Sequence, residues 1–216
     1  MPSGPRLQPT PALTGDVVRL EPLELRHLDG LTAAAAEERR TYHWTFVPDG
    51  RDAMAAYVEL ALQGRADDLF TPFATVRLDD ERVVGSTRFL TERWDWSGSD
   101  PTRQRANTPD VVEIGWTWLA ASAQRTAVNT EAKLLMLTHA FETWRVHRVC
   151  LRTDRRNERS RSAIERLGAR LDGVIRAERP GSDGSVRDTA HYSITADEWP
   201  AVRAELSRRL GRRATG

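Results

Sequence analysis

Apolar residues recur along this chain at two spacings, and each change of spacing marks a new element. Val17-Val18-Arg19-Leu20 reads as a short strand, followed by a helix over Leu25 to Glu38 through its alanines and the spaced Leu28 and Leu31. A second helical stretch, Asp52 to Leu62, sets Met54, Tyr57, Val58 and Ala61 on one stripe. Phe70 to Leu78 and Arg82 to Leu90 read as antiparallel strands around the turn Asp79-Asp80-Glu81. Val111 to Leu119 is a further strand. Thr130 to Trp144 is the best helix of the chain, with Leu134, Leu135, Leu137 and Phe141 as its apolar face. His147 to Thr153 returns to strand spacing. Asn157 is placed to cap a helix that runs to Leu167 and stops at Gly168. Val174 to Glu178 and Thr189 to Ile194 form a hairpin around Gly181-Ser182-Asp183-Gly184, and Asp197 to Leu210 is a terminal helix.

The order predicts a mixed α/β sheet with one β-α-β crossover, Val111 to Thr153, whose right-handedness makes its two strands parallel. No internal repeat and no linker splits the chain. Residues 1–12 read as a flexible tail, 13–210 as a single domain and 211–216 as a basic tail. Trp94 to Thr108 reads as an insertion loop between antiparallel strands, long enough to suggest a role.

Composition narrows the function classes. The 216 residues carry a net charge of +1, which gives no global pull toward nucleic acid or acidic membranes. Lys133 is the only lysine; every other basic side chain apart from the histidines is arginine. With Cys150 the sole cysteine, an internal disulfide is impossible. No run of about 18 apolar residues is present, so no membrane span is expected and a cytoplasmic location is the default. The histidines are scattered without metal-ligand spacing, so no metal is expected.

The candidate chemistry gathers around Gln124-Arg125-Thr126-Ala127-Val128-Asn129-Thr130. A strand that enters a helix through a short loop leaves unpaired N–H groups at the positive end of the helix dipole, which makes an anion site. Glu113 stands in an otherwise apolar strand, where a carboxylate has a raised pKa and can act as a base. The alternatives for Glu113 are a solvent-facing place on a sheet edge or an ion pair with an arginine such as Arg88. Trp116 and Trp118 share one strand face, and Trp94 and Trp96, on the preceding strand, are candidates to pair across from them. Tyr42, Trp44 and Phe46 are candidate walls of an acceptor pocket.

The order of elements, the loop Gln124 to Thr130, and Asn157-x-x-Ser160 followed by Glu165-x-x-Gly168 resemble the GNAT superfamily of acetyl-CoA-dependent N-acetyltransferases. Tyr192-Ser193-Ile194 and Glu198-Trp199 resemble its RimJ/RimL type. The loop departs from the family pattern, Gln/Arg-x-x-Gly-x-Gly/Ala, at Ala127 and Asn129. The resemblance implies a mostly antiparallel sheet flanked by helices, with a V-shaped splay between two parallel strands. It implies acetyl-CoA as co-substrate, its diphosphate on residues 124–130 and its pantetheine arm beside the backbone of Trp118 and Leu119. Asn157 would bond that arm, Ser160 would lie near the sulfur, and Glu113 would deprotonate a primary amine, either a protein N-terminus or a small molecule. A non-catalytic acyl-CoA-binding module is the alternative; a nucleic-acid binder is disfavoured by the charge. Monomer and homodimer both remain open.

Overall fold

The computed structural model describes residues 9–92 and 108–214. Most of the expected tail and of the 94–108 insertion, including Trp94 and Trp96, lies outside them; Thr10, at the tail's end, is buried. Eight strands form one sheet: β1 (Leu13–Thr14), β2 (Val18–Pro22), β3 (Phe70–Arg77), β4 (Arg82–Glu92), β5 (Val111–Leu119), β6 (Arg148–Asp154), β7 (Arg170–Pro180) and β8 (Val186–Thr195). They run in the order β1-β2-β3-β4-β5-β6-β8-β7. Only β5 and β6 pair in parallel, as the crossover predicts, and their pairing covers Val111–Glu113 against Arg148–Cys150. Beyond Glu113 the two strands have no shared register, which is the expected splay.

Five α-helices flank the sheet: α1 (Leu28–Ala36), α2 (Gly50–Ala66), α3 (Val128–Thr138), α4 (Glu158–Arg166) and α5 (Trp199–Ala214). The face on which Ser86 and Arg88 point takes α2, whose Tyr57 hydroxyl donates to Ser86 Oγ at 3.2 Å. Thr87, between them, points to the other face and meets α3 through Lys133 and Met136. Burial of Leu20, Phe73, Phe89, Met136, Leu137 and Ile194 makes one continuous core on both sides of the sheet.

Four helices differ from the sequence reading, and α2 extends beyond both ends of the expected Asp52 to Leu62, from Gly50 to Ala66. The first begins as a 3-10 turn, Leu25–His27, before α1. The fifth continues past Leu210 to Ala214, into the expected basic tail. In α3 the helix begins at Val128, not Thr130, and its last turns, His139–Trp144, are π-helical. The buried stripe is Val128, Ala132, Met136, Ala140 and Trp144, a spacing of four that a widened last turn keeps on one side. Leu134 and Leu135, expected on the apolar face, are only half-buried. Arg145 ends the segment at φ 56°.

Glu131 and Lys133 are the buried polar members of α3. The Glu131 carboxylate accepts N–H bonds from Asp16, Val17 and Val18 at 2.7–3.0 Å, tying the start of β2 to the helix. Gly15 leaves room for it: a Cβ there would fall 2.4 Å from the Glu131 carboxyl carbon.

Candidate functional site

Two local irregularities open the sheet at β5. Opposite Ser86 and Arg88 stand Trp118 and Gly115, so β5 carries one residue more than β4 in this interval. This is a β-bulge, which bends its strand. Trp116 within it has φ 51°, an unfavourable conformation for a bulky L-residue. Gly85 faces the bulge, and a Cβ there would lie 2.2 Å from the carbonyl oxygen of Trp118. Where β5 bends away from β6, its outer edge from Ile114 onward has no strand neighbour among the described residues.

The chain leaves β5 through a 3-10 turn, Ala121–Ala123, and reaches the loop singled out in the sequence. Gln124 anchors it: its side-chain amide donates to the Leu119 carbonyl at 2.9 Å and to Thr41 Oγ1 at 3.0 Å, and accepts from Arg159 at 3.0 Å. Arg125 is exposed and sits at φ 63°, in the left-handed region. Thr126 Oγ1 bridges the Ala123 carbonyl and the Val128 N–H. Val128, Asn129 and Thr130 are the first turn of α3 and not loop, as the sequence reading had them. The N–H groups of Arg125, Thr126, Ala127, Asn129 and Thr130 have no acceptor among the described residues. A left-handed residue followed by right-handed ones aims consecutive N–H groups to one side, as anion-binding backbone does.

Asn157 caps α4, its Oδ1 accepting the Ser160 N–H at 3.0 Å. The Ser160 hydroxyl makes no hydrogen bond to another described residue. Beside them a cavity of about 310 Å³ is lined by Arg40, Thr41, His43, Trp44, Arg156, Asn157 and Arg159. Arg156 lies over the Trp44 ring at 4.2 Å. Tyr42 is buried edge-on to Trp118, while Phe46 is exposed. Of the three aromatics expected to wall an acceptor pocket, Trp44 therefore flanks the Asn157 side and Phe46 faces solvent.

Glu113 stands at the fork of the splay and is 7% exposed. Its partner is Arg152 on β6, at 2.5 Å, and not Arg88. Arg152 also grips Glu92 at the end of β4 and donates to His191 Nδ1 at 3.2 Å; His191 Nε2 meets Glu178 at 2.9 Å. Burial pushes the Glu113 carboxyl up from its ordinary value, with the Arg152 charge opposing and Glu92 adding to the rise. No sequence signal marks this cluster, because its members come from five strands, β4 to β8. A cavity of about 170 Å³, lined by Cys150, Arg152, Gly173, Ile175 and His191, opens next to it. Cys150 is not a reactive thiol: burial pushes its pKa up to about 11.

A family model described as an acetyltransferase (GNAT) domain matches residues 18–170, from β2 to the start of β7. The chain belongs to the GNAT acetyltransferases. A Bacillus subtilis (strain 168) relative, YdaF, whose name carries a provisional assignment as a ribosomal N-acetyltransferase, is 32% identical over 88 residues. That match covers 41% of this chain and 47% of YdaF, so the chain spans about half the length of this curated relative. A GCN5-related N-acetyltransferase from Brucella melitensis superposes with a TM-score of 0.76 at 28% identity, covering 96% of this chain and 89% of its own. RimJ of Mycobacterium smegmatis, solved in complex with CoA-disulfide, shares the fold at 21% identity and a TM-score of 0.70, covering 95% and 94%. The GNAT assignment read from the sequence is borne out by the family model. Among the described residues no helix is long and apolar enough to cross a membrane, and no group of three or more His, Cys, Asp or Glu side chains is arranged to hold a metal ion.

Proposed function

We propose that this GNAT protein transfers an acetyl group from acetyl-CoA to a primary amine, a protein N-terminus or a small molecule, with both bound together. The observation that carries the reading is the set of N–H groups of Arg125, Thr126, Ala127, Asn129 and Thr130 without an acceptor among the described residues, beside the edge of β5 that β6 leaves after Glu113. A diphosphate there accepts several charge-assisted bonds at once, each contributing about 1.5–3 kcal/mol. The exposed Arg125 adds an ionic contact. The open edge of β5 after Glu113, through Trp118 and Leu119, matches an extended amide-bearing arm, which would bond to backbone as an added strand does.

When bound, acetyl-CoA supplies an acetyl group already activated as a thioester. The chain's own work is proton handling and positioning. Acceptor amines arrive protonated, and Glu113, its carboxyl raised by burial, takes that proton directly or through one water. Asn157 holds the start of α4 in place, and the Ser160 hydroxyl is free to donate toward the departing sulfur. A backbone N–H of the bulged β5 strand stabilises the developing oxyanion.

Thiol release from acetyl-CoA with a panel of amines and peptides tests the assignment. Turnover with at least one amine is expected, and a Glu113→Gln variant should lose about 10²–10⁴ of the rate. A Glu113→Gln variant with full rate across pH would remove Glu113 as base. The Arg152–Glu113 ion pair favours a second reading, a non-catalytic acyl-CoA-binding module, which predicts binding without turnover for any amine.

A further inference from the structure

Among the described residues Arg88 is the largest fully enclosed side chain, at 0% exposure, and its Nε, Nη1 and Nη2 all lack a hydrogen-bond partner there. No carboxylate faces it within ion-pair distance among the described residues. Three rings hold it instead: Trp116 at 4.5 Å, Tyr57 at 4.9 Å and Phe70 at 5.0 Å from the guanidinium carbon. Aromatic faces attract a cation but leave its N–H donors unfilled. A guanidinium is never neutral in a protein, so burying one without an acceptor is unfavourable, and a leucine or methionine would fill the same space without that burden. A buried polar group left unsatisfied calls for an explanation.

The surroundings supply one. Trp116, the lid over the guanidinium, is 39% exposed and belongs to the strained bulge. The Trp116 ring therefore lies between Arg88 and solvent. Directly across from Arg88 stands Gly115, and across from Leu90, two residues along β4, stands Glu113. Arg88 and Glu113 are thus diagonal neighbours on one face of the sheet, about 7–8 Å apart in the backbone. Gly115 puts no side chain between them: a Cβ there would fall 2.7 Å from Glu113 Oε1.

We propose that Arg88 is an acceptor-recognition residue that binds a carboxylate of the acceptor, entered when the Trp116 ring swings aside. The inference rests on the proposed transfer only in placing the acceptor's amine at Glu113. The flat guanidinium fork matches a carboxylate bidentately, and the aromatic walls fit a planar group. A single guanidinium neutralises one charge, which suits a carboxylate better than a dianionic phosphate. The diagonal spacing limits the acceptor to one that carries amine and carboxylate on the same amino acid: a free amino acid, or a peptide whose first residue is aspartate or glutamate.

Acid and amide twins test this on the full-length protein: free amino acids against their amides, and tripeptide amides beginning with glutamate against those beginning with glutamine. Binding is read by calorimetry and tryptophan emission without acetyl-CoA, and transfer by kcat/KM with it. The acid twin should win by at least about tenfold, as a site with unfilled donors rejects a ligand that cannot fill them. Whichever pair shows the preference identifies the source of the carboxylate. The emission change should vanish in Trp116→Phe, and the preference should collapse toward one in Arg88→Gln and Arg88→Lys. Twins that bind and react equally overturn the proposal with no variant needed; so does an Arg88→Gln protein that keeps the preference. Acid-selective binding without acetyl transfer would leave the anion site standing and sink the transferase reading, whereas transfer blind to the carboxylate would do the reverse.

Discussion

Lys133 offers the sharpest physical test, because it is the only lysine and it is buried. Its Nζ donates to Thr117 Oγ1 at 2.7 Å and to Thr87 Oγ1 at 3.0 Å, pinning α3 to β5 and β4 beneath the candidate site. Burial alone lowers its pKa from 10.5 to about 7. Unfolded chains hold the lysine proton up to about pH 10.4, whereas the folded chain releases it near pH 7, so in between the unfolded state binds more protons and stability rises with pH. Below pH 7 both states are protonated and the penalty is constant. At about 1.36 kcal/mol per pH unit the full penalty is about 5 kcal/mol, and about 4 kcal/mol of it is relieved between pH 7 and pH 10.5. Replacing Lys133 by Met removes the titration at the cost of about 1 kcal/mol for each lost hydrogen bond. Lys133→Met should therefore be more stable than the parent by about 2–3 kcal/mol at neutral pH, with the advantage shrinking steadily as the medium becomes alkaline. Urea unfolding of both proteins at several values across this window reads the difference, in which all shared titrations cancel. Parallel stability curves would refute the reasoning, because they would mean that Lys133 keeps an ordinary, hydrated charge.

Arg152 lowers the Glu113 pKa against the effect of burial, so Arg152→Met should move the acid limb of kcat/KM to higher pH and Arg152→Lys should restore part of it; a limb that stays put would show that Glu113 is not the titrating base. Gly85→Ala places a methyl 2.2 Å from the Trp118 carbonyl, should cost about 1–3 kcal/mol by thermal unfolding, and should weaken acetyl-CoA binding through displacement of β5; an unchanged melting temperature contradicts the close approach. Glu131→Gln keeps the shape but loses the charge that receives three N–H bonds, so its urea midpoint should fall by the equivalent of about 2–4 kcal/mol, whereas a surface glutamate would lose almost nothing.

The strands were the most legible part of the chain. Val111–Leu119 has the same ends in sequence and structure, and the β5-α3-β6 crossover is parallel, because a short apolar run and crossover handedness are local rules. The candidate loop and the Asn157 cap were also readable, since a helix start has its own residue chemistry. The partner of Glu113 was not: Arg152 lies 39 positions away and meets it only through the parallel register of β5 with β6. Glu131 and Lys133 look like the solvated flank of an amphipathic helix, yet both are buried, because their partners are the backbone of Asp16, Val17 and Val18 and threonines of β4 and β5. The bulge at Trp116 is equally silent, since an extra residue in one strand becomes visible only once its neighbour is aligned. Most of the 94–108 insertion lies outside the described residues.

The central claim is that the backbone at the start of α3 grips the diphosphate of acetyl-CoA, and amide hydrogen exchange tests it most directly. With saturating acetyl-CoA, peptides covering residues 124–131 should slow strongly, with a second, weaker protection along 114–119 on the free edge of β5. Acetyl-CoA that binds while leaving the exchange of 124–131 unchanged would contradict the account.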